Sequence, residues 1–353
     1  MSGMQEKDAV NQPSNGPDCP SCQSTSDAYA KHKLKQPVVC VVGPTASGKS
    51  TLAIRLACAL DGEVVSADSM QIYRGMDIGT GKVPRGEMLV PHHGIDIVDP
   101  GQPFSAALFQ EYARAAFYDI DERGKRPILC GGTGFYVRAA IDDYDFPEGE
   151  QVDNPIREKY NALARTEGPR ALWEVLNGKD EASAALIPEN DVKRVVRALE
   201  LLEQGKSYAE QKAMLARIPQ RYDAVFIGLE VEPGELVKRI DKRVDAMFDS
   251  GLVAEVSSLI DRGFREGVTA PQAIGYKEVV QALDGSISMY EAREMIKLAT
   301  RRYAKRQRTW FRKDKRIHWI ASEPARLDAM ADEALAIVEN ADKLQKTNED
   351  GAL

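Results

Sequence analysis

The chain alternates short continuous runs of apolar residues with stretches in which apolar residues recur at helical spacing. The runs have the length and composition of strands that are buried on both faces of a parallel sheet. They lie at Val38–Val42, Val64–Ala67, Ile95–Val98, Ile128–Cys130 and Val225–Leu229. Helical spacing extends from Leu52 to Leu60 and from about Ser105 to Glu122. This alternation predicts an α/β fold with a parallel sheet core and helices on both faces.

A different pattern fills the middle of the chain. Between about residues 146 and 222 the strand signals disappear and the apolar spacing is helical, whereas a strand pattern resumes at Val225. We therefore expect an all-helical domain at 146–222, inserted into a sheet domain formed by residues 36–145 and 223–325. From Pro233 onward the pattern is again helical. Residues 326–353 are expected to form a C-terminal tail.

Residues 1–35 are polar and lack apolar periodicity, which predicts a disordered leader. A zinc site at Cys19 and Cys22 would need about four ligands, and the one nearby candidate is His32, so an unstructured segment is favoured. The N-terminus lacks the pattern of a signal peptide, and the apolar runs are far shorter than the roughly 20 residues of a membrane-spanning helix. We expect a cytoplasmic protein that does not cross a membrane.

The first predicted strand is followed by a glycine-rich loop that opens a helix. The loop consists of Gly43, Pro44, Thr45, Ala46, Ser47, Gly48, Lys49 and Ser50. It satisfies the pattern of a P-loop, in which backbone N–H groups and a helix N-terminus bind phosphate oxygens. Lys49 adds a positive charge, and the Ser50 hydroxyl can hold Mg²⁺. This predicts a P-loop NTPase-like core, but a phosphate site alone leaves the reaction open, and a small-molecule kinase is one alternative.

Two other polar positions are expected at the same edge of the sheet. Asp68 ends the second predicted strand, where it can hold Mg²⁺ or act as a base, because ligands of parallel sheets bind beyond the strand C-termini. Thr133 lies in the sequence Gly131–Gly134 after the strand at Ile128, where small residues let a ligand approach the backbone. Alone, this second loop is equally consistent with a plain turn.

Charge is distributed unevenly along the chain, whose formal net charge is −7. The segment Arg293–Arg316 carries a cationic stripe at positions i, i+4, i+7 and i+11 of a predicted helix, with aromatic residues between. The stripe consists of Arg301, Lys305, Arg308 and Arg312. Such a surface in an otherwise acidic protein favours nucleic acid as a partner over a merely solubilising face. The cations at Lys193–Arg197 have the same two interpretations.

Seven segments of the chain, in order between about residues 37 and 320, resemble the tRNA dimethylallyltransferases, also called isopentenyltransferases. They are Gly43–Ser50, Ser66–Thr80, Pro91–Pro100, Gly131–Tyr136, Asn190–Glu200, Gln272–Lys277 and Ala299–Arg312. The resemblance implies transfer of a dimethylallyl group from dimethylallyl diphosphate to N6 of the adenosine immediately 3′ of the tRNA anticodon. The reaction releases diphosphate and uses Mg²⁺. The inserted helices would then bind tRNA, and a monomer is expected.

The resemblance also implies roles for individual residues. Asp68 would accept the N6 proton, Lys49 and Mg²⁺ on Ser50 would stabilise the leaving pyrophosphate, and Thr133 would join the catalytic set. Arg243 would help the 43–50 loop to hold the pyrophosphate. The implied tRNA contacts are Asp68, Ser69, Met70, Gln71, Thr133, Arg157, Lys193, Arg194, Val195, Val196, Arg197, Gln272, Ala273, Ile274, Gly275, Tyr276 and Lys277. Ser50 stands where many relatives have Thr, which keeps the hydroxyl.

Three alternatives remain at this point. A relative that prenylates free adenine nucleotides would need the P-loop and Asp68 but no basic RNA-binding surface. A P-loop kinase would leave the cationic stripe unexplained. A non-enzymatic RNA-binding module would leave Lys49 unexplained.

Overall fold

The computed structural model describes residues 32–146, 154–215 and 217–350. Its helices and strands occupy the following positions in chain order: β1 (Val38–Val42), α1 (Lys49–Ala59), β2 (Gly62–Ser66), β3 (His92–His93), α2 (Ala106–Glu122), β4 (Arg126–Gly131), α3 (Gly134–Ile141), α4 (Pro155–Lys179), α5 (Glu181–Ala184), α6 (Val192–Glu203), α7 (Tyr208–Leu215), β5 (Ala224–Glu230), α8 (Pro233–Asp249), α9 (Leu252–Ile260), α10 (Tyr276–Leu283), α11 (Met289–Phe311), β6 (Ile317–Ala321) and α12 (Leu327–Asp350). Short 3₁₀ turns connect several of them.

The strands form a six-stranded sheet in the order β3-β2-β4-β1-β5-β6, and every neighbouring pair is parallel. In this register Val42, at the end of β1, lies opposite Gly131 of β4 and Gly228 of β5. The carboxyl ends of the central strands therefore meet at one edge of the sheet. The predicted α/β fold with a parallel sheet is confirmed.

Helices cover both faces of the sheet because its central strands are apolar on both sides. On one face, Phe109 and Phe117 of α2 pack against Cys40 and Leu129. The opposite face is covered by α1 and α12. Burial of these apolar side chains, each worth roughly 1.5–3 kcal/mol, is what holds the layers together.

A further helical layer lies beyond the carboxyl edge of the sheet. The helices α8 to α11 share a core with the segment after β2, to which Ile72, Ile240, Val256, Tyr276 and Ile296 contribute. This packing places α8 and α11 beside the loops that leave β1, β2 and β4.

The inserted helices α4 to α7 surround a hydrophobic core of their own. Leu172, Leu176, Val195 and Leu199 form its centre and are fully buried. The long helix α4 is interrupted at Gly168, whose φ of 89° is non-helical. Between Pro155 and Leu215 the described part of this region consists of helices and short connections, as the pattern predicts.

Two strands differ from the expectation. Ile95–Val98 does not form a strand, because Gly94 and Asp96 adopt positive φ angles of 79° and 54° that break the extended chain. The strand in this part of the chain is the short β3, and Val98 forms an isolated bridge with Tyr73. At the other end, β6 interrupts the region expected to be helical. In this edge strand only Ile317 and Ile320 are buried, whereas His318 and Ala321 are exposed, so it has no continuous apolar run.

The segment expected to form a C-terminal tail contains α12, which packs on the sheet. Met330, Ala334 and Val338 are buried against α1 and the strands, at the i, i+4, i+8 spacing of one helix face. Arg126 joins this contact, since its guanidinium donates to both carboxylate oxygens of Asp342 at 2.7 and 2.8 Å. Helix α12 therefore belongs to the sheet domain.

The beginning of the described chain is tied to α2. Asp121 accepts a hydrogen bond from the Lys35 backbone N–H at 3.0 Å and lies 2.9 Å from Nε2 of His32, and Leu34 is buried. Cys19 and Cys22, with most of the predicted leader, lie outside the described residues. In the ranges that are described, no helix is both long and apolar enough to span a bilayer.

Candidate active site at the carboxyl edge of the sheet

The 43–50 loop connects β1 to α1 and directs its backbone toward the first turn of that helix. Gly48 precedes the helix with a φ of 86°, a left-handed conformation that costs a side-chain-bearing residue roughly 1 kcal/mol or more. Ser322, after β6, donates its hydroxyl to the Ser47 carbonyl at 2.7 Å and thereby fixes one side of the loop. The result is an ordered loop at a helix N-terminus, which is a favourable place for an anion.

Lys49 extends from this loop into a cleft at the sheet edge. Its ammonium donates to the Pro44 carbonyl at 3.3 Å, and Asp68 and Arg243 line the same cleft. Burial lowers the pKa of Lys49, and the charge of Arg243 lowers it further, whereas Cys130 and Asp68 oppose this shift. Lys49 and Arg243 together with Asp68 carry a net positive charge, which favours binding of an anion in the cleft.

Arg243 reaches the cleft from α8. Its guanidinium donates to the Thr80 carbonyl at 3.2 Å, which joins this helix to the segment that follows β2. Gln71 contacts the same segment, since its amide nitrogen lies 3.4 Å from the carbonyls of Thr80 and Gly81. Lys49 and Arg243 are both predicted to bind the pyrophosphate of the prenyl donor. They face each other across one cleft, although they are far apart in the sequence.

The turn after β2 places Asp68 beside the 131–134 loop. The carboxylate accepts from the Met70 backbone N–H at 2.9 Å, and Thr133 accepts from the Ser69 backbone N–H at 3.1 Å. Thus Asp68 and Thr133, predicted from two separate strands, lie on adjoining turns. The carboxylate is half-buried and opens into the cleft that holds Lys49.

Two protein-family models match this chain. The family model described as IPP transferase matches residues 71–314, and a model described as isopentenyl transferase matches residues 36–90. The chain belongs to the IPP transferase family. Together the two matches span β1 to β5, the insertion and α11, so they do not depend on the 43–50 loop alone.

Individual IPP transferase relatives cover most of the chain. A tRNA dimethylallyltransferase of Carboxydothermus hydrogenoformans is 45% identical over 306 residues, which are 86% of this chain and 97% of the relative. A solved tRNA isopentenylpyrophosphate transferase of Bacillus halodurans is 40% identical, with a TM-score of 0.65 over 88% of this chain and 100% of its own. A eukaryotic dimethylallyltransferase described as acting on tRNA is 29% identical, with a TM-score of 0.71 over 85% and 77% of the two chains.

In this IPP transferase, the predicted RNA contacts of the insertion divide into two groups. Lys193 and Arg194 are exposed at the start of α6, whereas Val195 and Val196 are buried in the core of the insertion. The side chains of the two valines are therefore not available to RNA in this structure, because the 3.6-residue period turns them inward. Their place in the motif is explained by packing.

Two more cations of the insertion share one acid. Arg157 donates to both oxygens of Glu200, at 2.5 and 2.9 Å, and Arg197 donates to the same carboxylate at 3.2 Å. Glu200 is buried, and two arginines compensate its charge. The arrangement fixes both guanidinium groups at the surface of α6.

The segment Gln272–Lys277 also divides by exposure. Gln272 is exposed and Lys277 half-exposed, whereas Ala273, Gly275 and Tyr276 are buried. The Tyr276 hydroxyl donates to Glu255 at 2.6 Å, and Glu255 in turn accepts from the backbone N–H groups of residues 77 to 79. Tyr276 thus supports the segment that Arg243 and Gln71 contact, and its contact with RNA stays a prediction.

Sequence reasoning overlooked Gln307 on α11. Its amide is 5% exposed and hydrogen-bonds both the 43–50 loop and the 131–134 loop. The available signal was a polar residue at an inward helical position, between Ala304 and Phe311 at i, i+3 and i+7. The cations on the outward face of the same helix instead predicted a contact with RNA.

Proposed function

We propose that this protein transfers a dimethylallyl group from dimethylallyl diphosphate to N6 of the adenosine immediately 3′ of the anticodon in tRNA, with release of diphosphate. The observation that carries the proposal is the meeting of Lys49, Arg243 and Asp68 in one cleft beside a loop at a helix N-terminus. Membership of the IPP transferase family supplies the reaction class.

The 43–50 loop is proposed to hold the diphosphate of the donor. Breaking the allylic C–O bond leaves negative charge on the departing diphosphate, and the loop N–H groups with Lys49 and Arg243 can stabilise that charge. Because the Pro44 and Thr80 carbonyls hold Lys49 and Arg243 at the cleft, little reorganisation is required. The anion would also counter the burial that lowers the pKa of Lys49.

Asp68 is proposed to orient the adenosine amine and accept its proton as the N6–C bond forms. Its carboxylate faces the cleft and is anchored by the Met70 N–H, so a second oxygen remains for the amine. Thr133 accepts a hydrogen bond from the backbone N–H of Ser69, the neighbour of Asp68, and is proposed to position the adenine of the acceptor. The target nucleoside must leave the stack of the anticodon loop to reach this depth.

Magnesium is proposed as the cofactor, and the residues present fit it. Ser50 supplies a hydroxyl to the cleft beside the loop proposed to hold the diphosphate, and hydroxyl and phosphate oxygens are ligands of the kind that Mg²⁺ prefers. When bound, the ion would neutralise part of the diphosphate charge. The other tasks, which are to bind, orient and accept the proton, belong to Lys49, Arg243 and Asp68.

The RNA surface is proposed to combine the insertion with α11. Lys193 and Arg194 are exposed at the start of α6, and Lys305 is exposed on the outward face of α11. Such cations would bind phosphates of the anticodon stem-loop without reading its sequence. Exposed Trp310 adds an aromatic face of the kind on which unpaired bases stack.

One assay tests the function. The protein is incubated with unmodified tRNA, dimethylallyl diphosphate and Mg²⁺, and the digested tRNA is examined by mass spectrometry for N6-dimethylallyladenosine. The expected product forms on tRNA and not on AMP. Product on AMP alone would favour the nucleotide-prenylating alternative, and ATP turnover without prenyl transfer would favour a kinase.

A further inference from the structure

Gln307 connects the two loops that the proposed reaction assigns to different substrates. Its Oε1 accepts from the Thr45 backbone N–H at 2.9 Å, and its Nε2 donates to the Gly132 carbonyl at 2.9 Å. Thr45 belongs to the loop proposed to hold the donor, and Gly132 precedes Thr133, proposed to hold the acceptor base. One buried amide therefore connects the proposed donor loop to the proposed acceptor loop.

The fit around this amide is close. A Cβ atom on Gly132 would lie 2.2 Å from Nε2 of Gln307, so a side chain at position 132 would force the amide to move. Both polar ends of the amide are used, and its side chain is 5% exposed. Loss of the bond to Gly132 would leave a buried carbonyl unsatisfied, at a cost of roughly 1–3 kcal/mol.

Tyr303, one turn earlier on α11, extends the connection to Asp68. Its hydroxyl interacts with the Thr133 and Gln307 side chains, both of which lower its pKa. Burial and the nearby charge of Asp68 raise the pKa of Tyr303 to about 12, so the phenol stays protonated at neutral pH and can donate. Thr133 in turn accepts from Ser69, the neighbour of Asp68. The chain of contacts thus runs from the donor loop to the proposed base.

We propose that Gln307 is a positioning residue for prenyl transfer, which sets the distance between the donor loop at Thr45 and the acceptor loop at Gly132. The inference rests on the proposed function. It does not place Gln307 in contact with the reacting atoms. Because misplacement of reacting groups by about 1 Å can cost on the order of 10²-fold in rate, loss of this amide is expected to act on kcat more than on substrate affinity.

Gln307→Met tests the proposal, because methionine fills a similar volume without either hydrogen bond. A matched control exists in Gln110→Met. Gln110 is likewise buried, and its amide donates to the carbonyls of Ala139 and Tyr144, both at 3.0 Å, away from the cleft. Both variants are expected to melt at similar, lowered temperatures. Only Gln307→Met is expected to lower kcat, by about 10- to 100-fold, with KM for donor and tRNA within about threefold of wild type.

Gln307→Glu provides a second readout that does not depend on the first variant folding. An ionised carboxylate still accepts from Thr45 but cannot donate to Gly132, whereas a protonated one can do both. Burial raises the pKa of a carboxyl group. The activity of Gln307→Glu relative to wild type should therefore rise as the pH is lowered from 8 to 6, at unchanged secondary structure by circular dichroism.

The outcomes separate the two proposals. If the wild-type protein makes no N6-dimethylallyladenosine, the proposed function fails. If wild type is active and Gln307→Met loses no more kcat than Gln110→Met, or if its loss lies in KM, the positioning role is overturned. A Gln307→Glu activity ratio that does not change with pH would overturn it as well.

Discussion

The helices α6 and α11 carry similar cations outward but differ in what their inward faces contact. The inward face of α6 presents Val195 and Leu199 to the core of the insertion. The inward face of α11 presents Ala304, Gln307 and Phe311 to the sheet domain and its loops. Cations at helical spacing therefore indicate a surface, whereas the opposite face of the helix decides whether that surface is connected to the active site.

The outward faces of α6 and α11 differ less from each other than their inward faces do. In α11, Arg301 pairs with Asp241 at 2.5 Å, and Arg312 pairs with Glu230, so half of the predicted stripe is neutralised within the protein. Lys305 and Arg308 have no carboxylate partner within the described ranges, and the same holds for Lys193 on α6. Arg194 on α6 pairs with Asp191 at 2.9 Å, so among the predicted contacts in the described ranges α11 keeps two unpaired cations and α6 keeps one. The inward faces are therefore the larger contrast between the two helices.

The largest loss of activity is expected for substitutions in the cleft itself. Substitutions on α6 and α11 are expected to have smaller effects. Asp68→Ala should lower kcat by about 10²- to 10⁴-fold, because the proposed base is lost. Donor affinity, measured by isothermal titration calorimetry with dimethylallyl diphosphate, should change little. A loss of donor affinity equal to that of Lys49→Ala would contradict the base assignment and favour a metal-binding role. Asp68→Asn, of similar shape, should behave like the alanine variant.

The separate core of the insertion can be tested by making a cavity in it. Leu199→Ala should destabilise the insertion by about 2–5 kcal/mol and weaken tRNA binding, while donor binding at the cleft persists. Leu56→Ala, equally buried between α1 and the sheet, should weaken both. The measurement is donor and tRNA affinity for both variants beside their thermal unfolding curves. Loss of donor binding in Leu199→Ala would show that the insertion core also supports the cleft.

The outward cations allow a paired comparison. Lys305→Ala with Arg308→Ala on α11, and Lys193→Ala with Arg194→Ala on α6, should each raise KM for tRNA by about tenfold. Each pair should also reduce the slope of log affinity against log salt by about 1 to 2, since two phosphate contacts are removed. We expect kcat at saturating tRNA to change by less than about threefold. A pair whose removal leaves the salt slope unchanged would place its helix outside the RNA interface.

The smallest effect concerns the acid stability of the insertion. Asp180 accepts from the Ser183 N–H at 2.9 Å and the Ser207 hydroxyl at 2.8 Å, which ties α5 to the start of α7. Burial alone would raise the pKa of Asp180, but the hydrogen bonds from Ser183 and Ser207 outweigh it and hold the pKa below its ordinary 3.8.

A lowered pKa in the folded state means that the carboxylate stabilises the fold above pH 3.8 and loses this effect as the pH falls through the lowered value. At pH 6, Asp180→Asn should therefore be less stable than wild type by about 1 kcal/mol, as for loss of a helix cap. The difference should shrink below pH 3.8 in thermal melts recorded between pH 6 and 3. A difference independent of pH would mean that the carboxylate charge is not what stabilises this part of the insertion.

The sequence alone determined the parts of this protein that depend on local pattern. Continuous apolar runs identified β1, β2, β4 and β5, and the loss of strand signals identified the insertion, because burial on both faces imposes these patterns on neighbouring residues. The glycine-rich loop at 43–50 was likewise readable, since its φ angles and its position before α1 are local requirements. The end of the second strand identified Asp68 as a site candidate and the family resemblance added Arg243, and the structure brings both to one cleft.

Other features were decided by tertiary structure. The edge strand β6 and the packed face of α12 have no local signal strong enough to separate them from their surroundings, because they are defined by what they pair with. The burial of Val195, Val196 and Tyr276 inside predicted RNA contacts became visible only with the packing of their helices. Gln307 is the clearest case. Its two hydrogen bonds join residues 262 and 175 positions away, and only the folding of α11 against the sheet edge brings these loops within reach of one side chain.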